Sequence, residues 1–109
     1  MEILPGMYSY KTIQWQSLES VTWAFHIVID HLETESGTMA ERLSFCTRQL
    51  STLQPKLLRL PGSLTQELIQ LVGDLRSGHY ENDPSRGQSA IRNYYTGLRS
   101  ALLDSLPIE

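Results

Sequence analysis

Residues 17–33 are the most apolar stretch of the chain, and they constrain the fold because they are apolar on two sides. Placed on a helix, five large residues recur at steps of three and four and form one stripe: Leu18, Val21, Phe25, Val28 and Leu32. Trp23 and Ile27 are one turn apart and lie across the helix from that stripe. A helix with two apolar faces is either central to its own domain or bound to another protein.

The same stretch also has a strand-like pattern, because β-branched and aromatic residues alternate with other residues over 21–29. The alternative is a β-hairpin at about 8–15 and 21–29 that packs on three helices, which would make the fold α+β. Against it, the intervening residues contain no Gly, Pro or Asn, and helical spacing continues through Leu32. The helix is therefore favoured, and the hairpin stays open at this point.

Three further helices have start and stop signals. Thr38 and Glu41 have the spacing of a capping box, as do Ser63 and Gln66. Asp83 precedes a proline, a pair that commonly opens a helix. With the Gly and Pro residues that follow as stop signals, these helices are predicted at about 38–54, 63–77 and 84–106.

The predicted helices carry apolar stripes at heptad-like spacing, which favours nearly antiparallel packing with short connections. The first helix is expected at about 10–33, after an N-terminal arm at 1–9. Gly73, near the middle of the third helix, is expected to permit a close helix crossing. A chain of 109 residues is one domain by size. We therefore expect an all-α, four-helix bundle-like single domain over 1–109.

Composition and motifs disfavour several classes of protein. Hydrophobic residues make up 40% and charged residues 19% of the chain, as in globular rather than disordered proteins. The single cysteine, Cys46, lies on the apolar stripe of the second helix, which predicts a buried and inert thiol. Neither a signal peptide nor a membrane-spanning run is recognisable, so we expect a cytoplasmic protein with no membrane contact.

No motif in the sequence supports catalysis, a metal site or a cofactor. There is no nucleophile turn of Gly-x-Ser-x-Gly type and no glycine-rich phosphate loop. His26, Asp30 and Glu33 share one helical face, but no second ligand motif accompanies them, and a solvated polar edge explains them more simply. We expect a non-enzyme that needs no metal and no cofactor.

Large side chains outside the core stripes indicate protein binding, because interfaces are enriched in Trp, Tyr and Arg. The candidate partner-binding residues are Trp15, Trp23, Ile27, Tyr8 and Tyr10. In the competing interpretation, the N-terminal arm or the linker at 57–60 covers Trp23 and Ile27 within the monomer. Our hypothesis is a small helical adaptor, inhibitor or chaperone-like protein that binds a protein partner or self-associates through its first helix. A two-fold homodimer is the simplest version.

A nucleic-acid-binding regulator is the alternative function, with Arg86, Arg92, Arg99 and Tyr94 of the last helix as its candidate residues. Acidic residues interrupt any basic patch, and the net charge of −3 gives no global attraction for phosphate, so nucleic acid is disfavoured. The charge is unevenly placed. Residues 1–41 hold one basic and six acidic residues, whereas 42–109 hold eight basic and six acidic. The simplest explanation is that the acidic first helix packs beside basic later ones.

Overall fold

The structure, a computed structural model, describes residues 10–34 and 37–104, with side chains from 15 to 33 and from 37 to 104. These residues form four α-helices: α1 Tyr10–Thr34, α2 Met39–Leu50, α3 Leu64–Arg76 and α4 Pro84–Asp104. A single turn of 3₁₀ helix, Pro55–Leu57, lies between α2 and α3. The predicted arm at 1–9 and the predicted end of the last helix at 105–106 lie outside the described residues.

The predicted all-α fold is confirmed, and the hairpin alternative is wrong. Residues 10–34 form one continuous helix, and no strand occurs in the part of the chain that the structure describes. The helical spacing of the apolar residues outweighs their β propensity, because only a helix places the whole stripe on one side.

The apolar stripe of α1 forms the centre of the core. Leu18, Val21 and Phe25 are fully buried, and Val28 and Leu32 are nearly so. α1 packs along both α2 and α4, and α3 closes the bundle against α4 and α2. α1 and α4 run antiparallel, since Phe25 packs on Tyr94 with ring centroids 5.0 Å apart, and Glu33, further along α1, approaches Arg92.

The second helix ends at Leu50, four residues before the predicted boundary. The hydroxyl groups of Ser51 and Thr52 donate to the carbonyl oxygens of Thr47 and Gln49, at 2.6 and 2.7 Å. Such local bonds compete with the helical ladder. Pro55 has no N–H and disfavours the helical conformation in the residue before it. Together these effects explain the early end.

One of the two predicted N-caps is present and the other is not. At Thr38 the Glu41 carboxylate bonds the side-chain hydroxyl, whereas a full capping box uses the backbone N–H of the cap residue. At α2, the Glu41 N–H donates to Thr38 Oγ1 at 3.1 Å, and the Thr38 hydroxyl donates to the Glu41 carboxylate at 3.1 Å. Ser63, by contrast, makes no side-chain cap, because its ψ of 6° is far from the extended conformation in which a cap residue reaches the helix N–H groups. The Ser63 prediction is therefore wrong.

The two capping residues form a matched pair for a stability measurement. Thr38→Ala should lower the free energy of unfolding by about 1 kcal/mol, since it removes the acceptor of the Glu41 N–H. Ser63→Ala should change it by less than about 0.5 kcal/mol, because no cap is lost. Urea unfolding followed by circular dichroism measures both. Equal losses would contradict the assigned caps.

The close helix approach occurs at Gly87, not at the predicted Gly73. A Cβ on Gly73 would meet nothing within 4 Å, so that prediction is wrong. A Cβ on Gly87 would lie 2.7 Å from Leu43 Cδ2 and 3.1 Å from Tyr80 Cβ. Glycine at 87 therefore lets α2 and the turn before α4 pack against the start of α4.

Alanine at each of these two glycines should have opposite effects. Gly73→Ala should raise the free energy of unfolding by up to about 1 kcal/mol through helix propensity. Gly87→Ala gains the same propensity but forces Leu43 and Tyr80 to move, so it should lower stability by about 1–2 kcal/mol. Chemical denaturation of the two variants is the measurement. A stabilised Gly87→Ala protein would show that the packing there is loose.

Candidate functional site

Trp23 and Ile27 project from the side of α1 that faces away from the core. Trp23 is 62% exposed and Ile27 is 58% exposed, although Phe25 between them is fully buried. We call the exposed residues around them the outer face of α1, which comprises Glu19, Ser20, Trp23, Ile27 and Asp30. Among the described residues, no other helix covers this face.

The competing interpretation, in which the linker at 57–60 covers Trp23 and Ile27, is wrong. The linker passes α1 elsewhere: the Arg59 N–H donates to Ser17 Oγ at 3.3 Å, and Leu60 is buried in the core. Leu57 of the same linker is itself exposed. The other half of that interpretation, coverage by the arm at 1–9, falls outside the described residues.

Contacts with α4 hold one edge of the outer face in place. Trp23 meets the His26 ring edge-on, with centroids 5.6 Å apart. His26 Nδ1 is hydrogen-bonded to the Tyr95 hydroxyl at 3.2 Å, and the Arg99 guanidinium lies 5.8 Å from the centre of the Tyr95 ring. These contacts restrict the His26 side chain and give Trp23 a fixed neighbour. A side chain ordered before binding loses less conformational entropy when a partner arrives.

The other predicted partner-binding residues are not part of this face. Trp15 is half-buried, and its indole N–H has no acceptor among the described residues. Tyr8 and the side chain of Tyr10 lie outside the described residues. The structure therefore brings together Trp23 and Ile27, and leaves Trp15 two turns away on a different part of α1.

Two residues on the polar edge of α1, His26 and Glu33, have side-chain partners on α4. His26 bonds Tyr95, and Glu33 Oε1 lies 3.9 Å from Arg92 Nη2, with both side chains about half exposed. Within the described residues, no three His, Cys, Asp or Glu side chains converge as metal ligands would.

The four nucleic-acid candidates do not form one surface. Tyr94 is 8% exposed and its hydroxyl donates to the Leu64 carbonyl at 2.7 Å, so it is not available to stack on a base. Burial, assisted by the Glu67 carboxylate, raises the pKa of Tyr94 far above its usual value. Arg92 approaches Glu33, and Arg99 lies over Tyr95. Arg86 is exposed in the first turn of α4, away from both.

Cys46 is fully buried, as predicted, between α2 and α1. Its thiol donates to the Val28 carbonyl at 3.8 Å. Burial raises the pKa of the Cys46 thiol from 9.0 to about 11, which keeps it protonated and unreactive at neutral pH.

This shift predicts a pH dependence of stability. The unfolded chain loses the Cys46 proton near pH 9, whereas the folded chain keeps it until about pH 11. Between these values the unfolded state binds fewer protons, so the free energy of unfolding should fall by up to about 2 kcal/mol. Cys46→Ala, which cannot lose that proton, should show a smaller fall; equal pH profiles of the two proteins in urea unfolding would contradict the burial of an ionisable thiol.

A second apolar surface, which was not predicted from the sequence, lies between the 3₁₀ turn and α3. An open groove of about 420 Å³ has apolar walls from Pro55, Leu57, Ile69 and Val72. We call it the linker groove. It was missed because its walls come from separate segments, and the one local signal is Leu57, which is 73% exposed.

No helix of the described residues is both long enough and apolar enough to cross a lipid bilayer. Comparison of the chain with protein-family models, with curated proteins and with solved structures gives no match.

Proposed function

We propose that this chain is a non-catalytic protein-interaction module that binds another protein chain through the outer face of α1. The observation that carries the proposal is the exposure of Trp23 and Ile27, one turn apart, on a helix whose opposite face is fully buried. Fully burying a large apolar side chain stabilises a complex by about 1.5–3 kcal/mol relative to leaving it in water. Protein interfaces commonly concentrate their binding free energy in a few such residues near their centre.

The surroundings of this centre support protein rather than nucleic acid as the ligand. Glu19 and Asp30 flank the two apolar side chains, so the face is bordered by negative charge. Carboxylates repel a phosphate backbone, whereas a polar rim around an apolar centre is typical of protein interfaces. The role we infer is that of a cytoplasmic adaptor, inhibitor or chaperone-like protein, whose partner is another copy of the chain or a different protein.

Photo-crosslinking from the outer face tests this proposal. A photoreactive phenylalanine in place of Ser20, which is exposed on that face, should give a covalent adduct with another protein chain in cells that make the protein. The same group in place of Ser100, exposed on α4, is the positional control.

Adding Ile27→Asp should abolish the adduct while the free energy of unfolding changes by less than about 0.5 kcal/mol, because Ile27 is not in the core. Leu103→Asp is the matched control, since Leu103 is 64% exposed on α4 and lies outside the outer face. It should leave the adduct unchanged. An adduct that survives Ile27→Asp, or a variant that unfolds, would contradict the proposal.

A further inference from the structure

The charges beside Trp23 and Ile27 disfavour a two-fold pairing of α1 with itself. Consider two antiparallel copies of α1 related by a two-fold axis that passes midway between Trp23 and Ile27. Position 19 of one copy then faces position 31 of the other, and the edge of the outer face that carries Glu19 and Asp30 lies beside the same edge of the second copy. Glu19 of one copy therefore comes close to Asp30 of the other, twice per dimer. Like charges at an interface are unfavourable. A parallel pair avoids this contact but aligns the two helix dipoles, which is also unfavourable.

The linker groove has the opposite charge. Lys56 and Arg76 lie along its edges, and no acidic residue lines it. Its apolar walls include Leu57 and Ile69, and Gly73 adds no side chain to the α3 surface, where a Cβ would meet nothing within 4 Å. The groove is therefore an open apolar surface with a basic border.

We propose that the linker groove of one copy receives the outer face of α1 from a second copy. This inference rests on the proposed function, because it names the chain that α1 binds. Trp23 and Ile27 fill the apolar groove, and Glu19 and Asp30 lie near Lys56 and Arg76 of the other copy. The pairing buries two surfaces that are each exposed in the monomer, and it joins an acidic border to a basic one.

The positions of the two surfaces determine the form of the assembly. The outer face and the linker groove share no residue, since one belongs to α1 and the other to the 3₁₀ turn and α3. A chain whose two complementary surfaces differ associates head to tail, and it forms rings or open chains rather than stopping at a dimer. Because each contact is small, we expect weak and reversible association that is visible only at high protein concentration.

Complementation between two variants tests this arrangement by sedimentation velocity over a concentration series. Ile27→Asp disables the outer face and Leu57→Asp disables the groove, and both residues are exposed, so both variants should fold. Each variant alone should remain a monomer. In their equimolar mixture, Ile27→Asp supplies an intact linker groove and Leu57→Asp supplies an intact outer face. The mixture should therefore form a heterodimer and no larger assembly. The unmodified chain and Leu103→Asp should form assemblies larger than a dimer.

Several results would overturn the inference. Self-association of Leu57→Asp equal to that of the unmodified chain would identify a two-fold α1 interface instead. A monomeric mixture of Ile27→Asp and Leu57→Asp would show that the two surfaces do not meet. An unmodified chain that stays monomeric throughout would also exclude the arrangement, while an Ile27-dependent crosslink to a different protein would leave the proposed function standing.

Charge reversal provides a second test that does not depend on apolar contacts. Glu19→Lys with Asp30→Lys should abolish self-association, because both surfaces then have basic borders. Adding Lys56→Glu and Arg76→Glu to the same chain should restore it. Failure of the fourfold variant to associate, with its helical content intact, would contradict the charge pairing.

Discussion

Burial of the α1 stripe against α2 and α4 holds the four helices together. Five side chains from Leu18 to Leu32 are almost completely buried in this contact, and each contributes about 1.5–3 kcal/mol of hydrophobic free energy. α1 has neighbours on this side alone among the described helices, and so it buries only one of its two apolar faces. Trp23 and Ile27 are exposed because no element within residues 10–34 and 37–104 packs over them.

The structure shows where the unevenly distributed charges of the sequence lie. Glu33 of α1 and Arg92 of α4 are an example of the expected pairing between the acidic first helix and the basic later helices. Their side chains are 3.9 Å apart and about half exposed. An ion pair of this kind contributes little to stability. Other charges border the apolar surfaces instead, with Glu19 on the outer face of α1 and Lys56 and Arg76 on the linker groove. Charges so placed influence which surfaces meet and how fast, more than whether the chain folds.

The elements that local patterns specify were predicted from the sequence, and those that depend on packing were not. The stripe of α1 and the cap at Thr38 follow from residues within one or two turns of each other. The cap at Ser63 failed because the chain enters α3 with a ψ of 6°, a conformation set by how the linker packs. Likewise, the sequence does not show which helical glycine faces another segment: a Cβ on Gly87 would meet Leu43 and Tyr80, whereas one on Gly73 would meet nothing within 4 Å. Periodicity allowed Trp23 to be either covered within the monomer or exposed, and it could not decide between the two. The linker groove could not be predicted because its walls come from residues that are distant in sequence.

Isoleucine methyl NMR over a concentration series tests whether the outer face of α1 meets the linker groove, because one label reports on three environments. Ile27 lies on the outer face of α1, Ile69 lines the linker groove, and Ile91 is fully buried in the core. The Ile27 and Ile69 methyl signals should shift together as the protein concentration rises, while the Ile91 signal stays fixed. A shift of Ile27 without Ile69 would indicate a two-fold contact through α1. An Ile27 signal that no concentration changes would contradict self-association through this face.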